Sequence, residues 1–439
     1  MLRFLKIFLV FIVLYHLLVT IIWYGIFGWT FPQLPALLRD FVWMIFFVII
    51  AIYNSKTLIA YLKTWKRPRI TFIGILIFGV GISFIRDKSV YDIFVGIKYG
   101  LLYIFIFLSA TYIWYLWSKK DSKGINSEFY IMHFLNFLKY LLIITVIGWF
   151  IRQWLKFIRP DIFLHIGYWP LNDFKFGVKP PIYYLTGYQW TSRWQWIFSW
   201  PNNYGYFLIA FLPMIMLICK QKFSSIQEFF KANTTTILNT SVSILWILAI
   251  ILTLSRTAYI GGIVWLALIN IQWIRKNKKI ARWILIVLMA GLVGVSILKW
   301  ASTIDHIKAK FGSIQYVIDK PSGYGLGTSG PAVNYNGTIL PENYYIQLML
   351  DIGTLGFILR TMLIFQITRL ARKIEKKLKS TNNNTQMIYL IWRWLNIWRV
   401  CLLVMGMFLH VFEDSMINYL FFVSWWILSG YVSTIITKK

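Results

Sequence analysis

Acidic residues are scarce in this chain: 15 Asp and Glu stand among 439 residues, against 45 Lys and Arg. Charged residues of both signs make up 14% of the chain, where a soluble domain carries about 25%. So little charge cannot clothe a soluble core of this length. The 59% apolar content excludes a disordered chain as well. Cysteine is nearly absent. Cys219 and Cys401 lie far apart in apolar stretches, which excludes a disulfide framework and a thiolate metal site. The five histidines, His16, His133, His165, His306 and His410, are scattered, none at metal-ligand spacing. The chain has no phosphate-binding glycine loop with a lysine, no zinc helix and no Gly-x-Ser-x-Gly elbow. No internal repeat is visible, which speaks against a transporter built from inverted halves.

What fills the chain is apolar sequence in runs of about 20 residues, the length that crosses a bilayer. Twelve spans are expected, near 4–27, 36–53, 70–85, 90–117, 130–151, 204–219, 238–255, 257–273, 281–299, 344–366, 388–411 and 417–435. The expected fold class is an all-α polytopic membrane protein with about 12 transmembrane helices and two long extracytoplasmic loops. Linearly, this gives helices 1–5 in residues 1–151, a large outer loop at 152–203 and helices 6–9 in 204–300. A second outer loop at 301–343 and helices 10–12 in 344–439 complete it. The first run is longer than a signal-peptide core and lacks a small-residue cleavage site. Arg3 precedes it and Lys6 stands in its first turn, so it is expected to remain as the first helix, with its N-terminus in the cytoplasm.

Charge agrees with that topology. The segments expected in the cytoplasm are both termini and the loops 54–69, 118–129, 220–237, 274–282 and 367–387. They hold 26 of the 45 Lys and Arg but only four of the 15 acids. This is the positive-inside pattern. Most of the +30 net charge is thus a topology signal and an attraction to anionic lipid, and nucleic acid is not an expected partner.

The two long outer loops mix aromatic, basic and Gly/Pro residues. The first carries Trp154, Trp169, Tyr183, Tyr184, Tyr188 and Trp190 with Arg152, Lys156, Arg159 and Arg193. Aromatic faces stack on the C–H faces of sugars and cations bind phosphates; the competing reading is an aromatic belt at the membrane surface.

Three further segments carry chemistry. Leu254-Ser255-Arg256-Thr257-Ala258 sits at a tight junction between the seventh and eighth spans. A guanidinium there is costly without a partner, so its default reading is functional. Gly323-Tyr324-Gly325-Leu326-Gly327 in the second loop permits unusual backbone angles and close approach of main chain to a ligand. Pro341-Glu342-Asn343-Tyr344-Tyr345 opens the tenth span. Glu342 suits a helix N-terminus as an anion, and it also suits a base that takes a proton from a hydroxyl.

In order and spacing, these segments resemble the O-antigen polymerase and O-antigen ligase superfamily, best over residues 188–365. Arg193 upstream of Pro201-Asn202-Asn203-Tyr204-Gly205 looks like the family's Pro-Asn element, and Ser255-Arg256-Thr257-Ala258 like its Ser-Arg element. Gly323 to Gly327 looks like its Gly-rich loop, and Glu342-Asn343-Tyr344-Tyr345 through Gly353 and Gly356 like the motif that follows. Lys308 and Lys310 fall roughly where family members have an Arg. Family ligases commonly carry a His near the Glu342 position, and this chain has Pro341-Glu342 there, which is similar to capsule and exopolysaccharide polymerases.

The resemblance implies a bacterial cytoplasmic-membrane glycosyltransferase with both termini inside. It would join undecaprenyl-pyrophosphate-linked repeat units into surface polysaccharide at the outer face. Glu342 and Arg256 would be catalytic; Arg193, Asn202, Lys310, Gly325, Gly327, Asn343 and Tyr345 would bind substrate. The donor is already activated, so no metal, nucleotide or redox cofactor is expected. Expected partners are the lipid-linked oligosaccharide and the bilayer, with a chain-length regulator and a flippase as candidates. The alternatives are a ligase that transfers the glycan elsewhere and a lipid-linked oligosaccharide flippase. Lys98, Lys139 and Arg360 fall within expected spans and stay unassigned.

Overall fold

The computed structural model describes residues 33–64, 66–120, 158–165, 184–185, 192–193, 201–218, 234–253, 255–269, 271–298, 300–330, 339–341, 343–379 and 386–408, with isolated positions within 7–26 and 137–155 and at Tyr419. Among these residues the chain is mostly helical, with one two-stranded antiparallel hairpin. It divides into two compact units, each discontinuous in sequence. One comprises Met1–Gln33 with Glu128–Lys299, the other Leu34–Ser127 with Trp300–Lys439. In the second unit N-terminal helices join C-terminal ones.

In that second unit, α1 (Gln33–Tyr53) and α2 (Ser55–Thr64) lead into α3 (Lys66–Ile85) and α4 (Val90–Lys120). The α3–α4 turn is fixed locally. Lys88 N–H donates to the Ser83 carbonyl and Asp87 takes a positive φ of 53°. Ser89 then caps α4, its hydroxyl accepting from Asp92 N–H at 3.1 Å and donating to the Asp92 carboxylate at 2.8 Å. Against α1, the Trp43 indole donates to Ser109 of α4 at 2.9 Å. The Tyr112 hydroxyl donates to the Asn54 carbonyl, which ends α1.

Each unit has further helices. The first holds the short α5 (Pro160–His165), the hairpin β1 (Tyr184–Leu185) with β2 (Ser192–Arg193), and α6 (Pro201–Ile218). It continues with α7 (Thr234–Leu252), α8 (Arg256–Ile269), α9 (Ile271–Lys276) and α10 (Lys278–Leu298). The second resumes with α11 (Trp300–Asp319), α12 (Tyr344–Lys379) and α13 (Gln386–Met405). So the expected second loop opens with a 20-residue helix, α11.

By length and composition one described helix, Tyr344–Arg369, is long and apolar enough to cross a membrane. It is not straight. Arg360 follows Tyr344 by 16 residues, about 24 Å along a helix axis, yet its guanidinium carbon lies 4.6 Å from the Tyr344 ring. The rings of Tyr345 and Phe357 are likewise only 6.2 Å apart. Gly353, at φ 69° and ψ 174°, breaks the helix there, and residues 344–352 fold back on residues 354–379. Hydropathy reads 344–366 as one span because a glycine inside an apolar run looks like a tolerated helical residue.

Several helices turn apolar side chains outward along one face. On α10 these are Trp283, Ile286, Met289, Val293 and Ile297; on the second limb of α12 they are Leu355, Ile358, Met362 and Phe365. Monomeric soluble proteins rarely expose apolar strips of this length.

Candidate functional site

The segments singled out in the sequence come together in pairs, one pair in each unit. In the first unit α7 and α8 are separated only by residues 253–255. Ser255, fully buried, is the cap of α8: its hydroxyl accepts from Ala258 N–H at 3.3 Å. Arg256 is then the first helical residue, half-buried. A cation at the positive end of a helix is locally unfavourable, so its presence there is not explained by helix stability.

α6 crosses this junction at Gly205. A Cβ on Gly205 would lie 2.7 Å from the Ala258 Cβ and 3.4 Å from the Ser255 Cβ, so only glycine permits this approach. The Trp246 indole of α7 donates to the Leu208 carbonyl of α6 at 2.8 Å and locks the crossing. The Pro201–Gly205 and Ser255–Ala258 segments, 50 residues apart, are thereby held face to face. Asn202, half-buried, stands in the first turn of α6, one turn before the crossing. Arg193 lies on β2, where its backbone pairs with Tyr184. In the same unit Arg159 donates to Asp161 at 2.8 Å and holds that exposed carboxyl below the usual carboxylate range.

In the second unit the Gly-rich segment 321–330 is built into the helices around it. Gly323, Gly325, Gly327 and Gly330 all have positive φ. The close approach they permit is to the protein's own backbone. A Cβ on Gly327 would lie 2.2 Å from the Asp92 carbonyl oxygen of α4. Ser83 of α3 accepts from Leu326 N–H at 2.8 Å, and Arg86 donates to Ser322 Oγ at 2.9 Å. Tyr324 and Gly325 N–H donate to the Leu350 and Asp351 carbonyls, the orphan carbonyls ending the first limb of α12. The buried Asp351 carboxylate accepts from both Ser329 N–H at 2.9 Å and Ser329 Oγ at 2.8 Å. Gly325 and Gly327 are buried, and they act here as positions of backbone fit.

The other end of that limb gathers three of the expected substrate-binding residues. Asn343 caps it, Oδ1 accepting from Tyr345 N–H at 2.8 Å and Ile346 N–H at 3.2 Å. Asn343 Nδ2 and Lys310 Nζ both donate to the Met407 carbonyl, at 2.9 and 3.1 Å. The Tyr345 hydroxyl donates to Leu403 at 2.6 Å. Glu342 lies outside the described residues, between the described Pro341 and Asn343.

Two groups that the sequence left unassigned gain partners, and Lys139 lies outside the described residues. Lys98 pairs with the buried Asp40 carboxylate at 3.4 Å, which Arg39 also contacts at 2.9 Å. Arg360 is fully buried against the faces of Tyr103, Tyr344 and Tyr345, and donates to the Tyr103 hydroxyl. It ties the two limbs of α12 to α4. Asp351 and Arg360 were missed as site-building residues, although a charge inside an apolar run is the signal that finds them. Among the described residues no group of three His, Cys, Asp or Glu is assembled to hold a metal.

No family model, no curated protein and no solved structure matches this chain.

Proposed function

We propose that this chain is a polytopic membrane glycosyltransferase that joins lipid-pyrophosphate-linked oligosaccharide repeat units into a surface polysaccharide at the outer face of a bacterial cytoplasmic membrane. The observation that carries this reading is the pairwise assembly of the four segments. The Pro-Asn and Ser-Arg elements face each other in one unit, and the Gly-rich segment clamps the helix that Asn343 opens in the other. Segments so far apart in sequence would not need such close fits as mere connections. The apolar faces turned outward on α10 and α12, and the basic segments expected in the cytoplasm, support a membrane placement.

The chemistry follows from the substrates. An acceptor hydroxyl attacks the anomeric carbon of the donor, the bond from that carbon to phosphate oxygen breaks, and the lipid pyrophosphate leaves. Glu342 takes the hydroxyl proton, which implies inversion at the anomeric carbon. Arg256 and Arg193 hold the pyrophosphate and stabilise the charge that grows on it. Alignment of two lipid-anchored substrates can lower the barrier by about 7–11 kcal/mol. The aromatic first loop grips the glycan, and the family resemblance assigns substrate contacts to Asn202 in the first unit and to Lys310, Asn343 and Tyr345 in the second.

The test is reconstitution. The purified chain in lipid vesicles receives single lipid-linked repeat units isolated from the producing cell, without added metal or nucleotide. A ladder of longer lipid-linked glycans is expected, together with released lipid pyrophosphate. Units that stay single, or cross the vesicle membrane without joining, overturn the reading. Transfer to a different acceptor makes the protein a ligase.

A further inference from the structure

The helix that opens the second long loop is divided lengthwise into three stripes. His306, Lys310, Ser313 and Val317 form the most enclosed stripe, with Ser313 buried, the others half-buried, and Lys310 donating to the Met407 carbonyl. Lys308, Gly312, Gln315 and Asp319 form an exposed polar stripe, with Gln315 donating to Asp319. Ile307, Phe311, Ile314 and Ile318 form the third stripe, exposed and wholly apolar. Phe311 is 67% and Ile318 64% exposed. These residues recur at helical spacing and lie on one face. A helix at the surface of a soluble protein has one apolar face, and that face is the packed one. Here the enclosed residues, the exposed apolar residues and the exposed polar residues each take a side.

The apolar stripe also has a neighbour. Pro321, three residues after Ile318, accepts from both the N–H and the hydroxyl of Thr354. Leu355 comes next and begins the outward apolar face of the second α12 limb, which continues through Ile358, Met362 and Phe365. That limb carries the part of the apolar stretch Tyr344–Arg369 that lies beyond the break at Gly353. The two apolar faces therefore start from one corner of the unit.

We infer that α11 is an interfacial helix. Its Ile307–Phe311–Ile314–Ile318 stripe is buried in the outer leaflet, at the boundary of headgroups and acyl chains, and its Lys308–Gln315 stripe faces water. The Gly-rich segment follows α11 directly, so this seat fixes that segment at the height where a lipid-borne pyrophosphate lies. The inference rests on the membrane placement proposed above and is independent of the glycan chemistry.

The test uses the full chain with Cys219 and Cys401 replaced by Ala, reconstituted in vesicles. Nitroxides are attached one at a time to Ile307→Cys, Phe311→Cys, Ile314→Cys and Ile318→Cys, and to Lys308→Cys and Gln315→Cys. Leu355→Cys and Met362→Cys serve as references on α12. The ratio of collision with oxygen to collision with a water-soluble nickel chelate reports immersion. The expected result is a ratio several-fold higher on the apolar stripe than at 308 and 315, oscillating with the helical period. If 355 and 362 are immersed while the α11 ratios are flat and low, α11 is not interfacial and the membrane placement stands. If neither helix is immersed, both fall. If 307–318 are shielded from both reagents, protein covers the stripe and the inference fails. Carbene labelling of the unsubstituted chain from a lipid-borne probe gives a second reading free of folding defects. Label is expected on Phe311 and Ile318 and not on Lys308 or Gln315; the reverse would overturn the inference.

Discussion

Glu342 and Arg256 carry the proposed chemistry, and each has its own test. Glu342→Gln keeps size and shape and removes the base. It is expected to stop chain growth while the protein remains in the membrane at its usual level, read from the size profile of lipid-linked glycans. Full-length glycan from that variant would remove Glu342 from the mechanism. Arg256→Lys keeps the charge but loses the fork that can grip two phosphate oxygens. A fall in turnover of about 10²- to 10³-fold is expected, the usual loss when one preorganised donor to a developing anion is removed. Unchanged turnover would mean that a point charge suffices. Asp351 belongs to the scaffold. Asp351→Ala strands the buried Ser329 N–H at a cost of about 1–3 kcal/mol, while the Ser329 hydroxyl keeps the Gln347 carbonyl, and a lowered thermal midpoint is the readout. The charges inside apolar runs were visible in the sequence; their partners were not. Arg360 meets Tyr103 from 257 positions away, and aromatic faces leave no charge pattern to read.

Among the elements, glycines decide where helices meet and turn. Gly353 adopts a φ, ψ combination open essentially to glycine alone, so Gly353→Ala costs about 1–3 kcal/mol in the backbone. Its Cβ would also lie 2.4 Å from the Ser322 carbonyl oxygen. Loss of monodisperse folded protein in detergent is expected; an unshifted midpoint would mean that the fold-back is not required. Gly205→Ala should force α6 off α8 and lower the midpoint, and Ala258→Gly in the same chain should restore part of it, because the clash is between those two Cβ positions. Apolar runs made most of these helices legible, including the tight junctions at 86–89 and 253–255. The fold-back at Gly353 was not legible, since it depends on carbonyls of Pro321 and Ser322 from a loop that hydropathy reads only as polar. α11 was hidden for the same reason: a helix with three different faces has too little net hydrophobicity to register as a span.

For the whole molecule, composition and charge distribution speak against a soluble enzyme and carry the expected orientation, and these are properties that a linear sequence displays. The division into two discontinuous units is a property of packing, in which residues 34–127 join 300–439 and residues 1–33 join 128–299. No hydropathy profile encodes it. The measurement that bears most directly on the proposed function is the profile of lipid-linked and surface glycans after the gene is deleted from its own cell. Single repeat units on lipid at the outer face, with no long chains, are the result this function requires. Units held at the inner face, or full-length chains still on lipid, would contradict it and assign the chain to transport or to ligation.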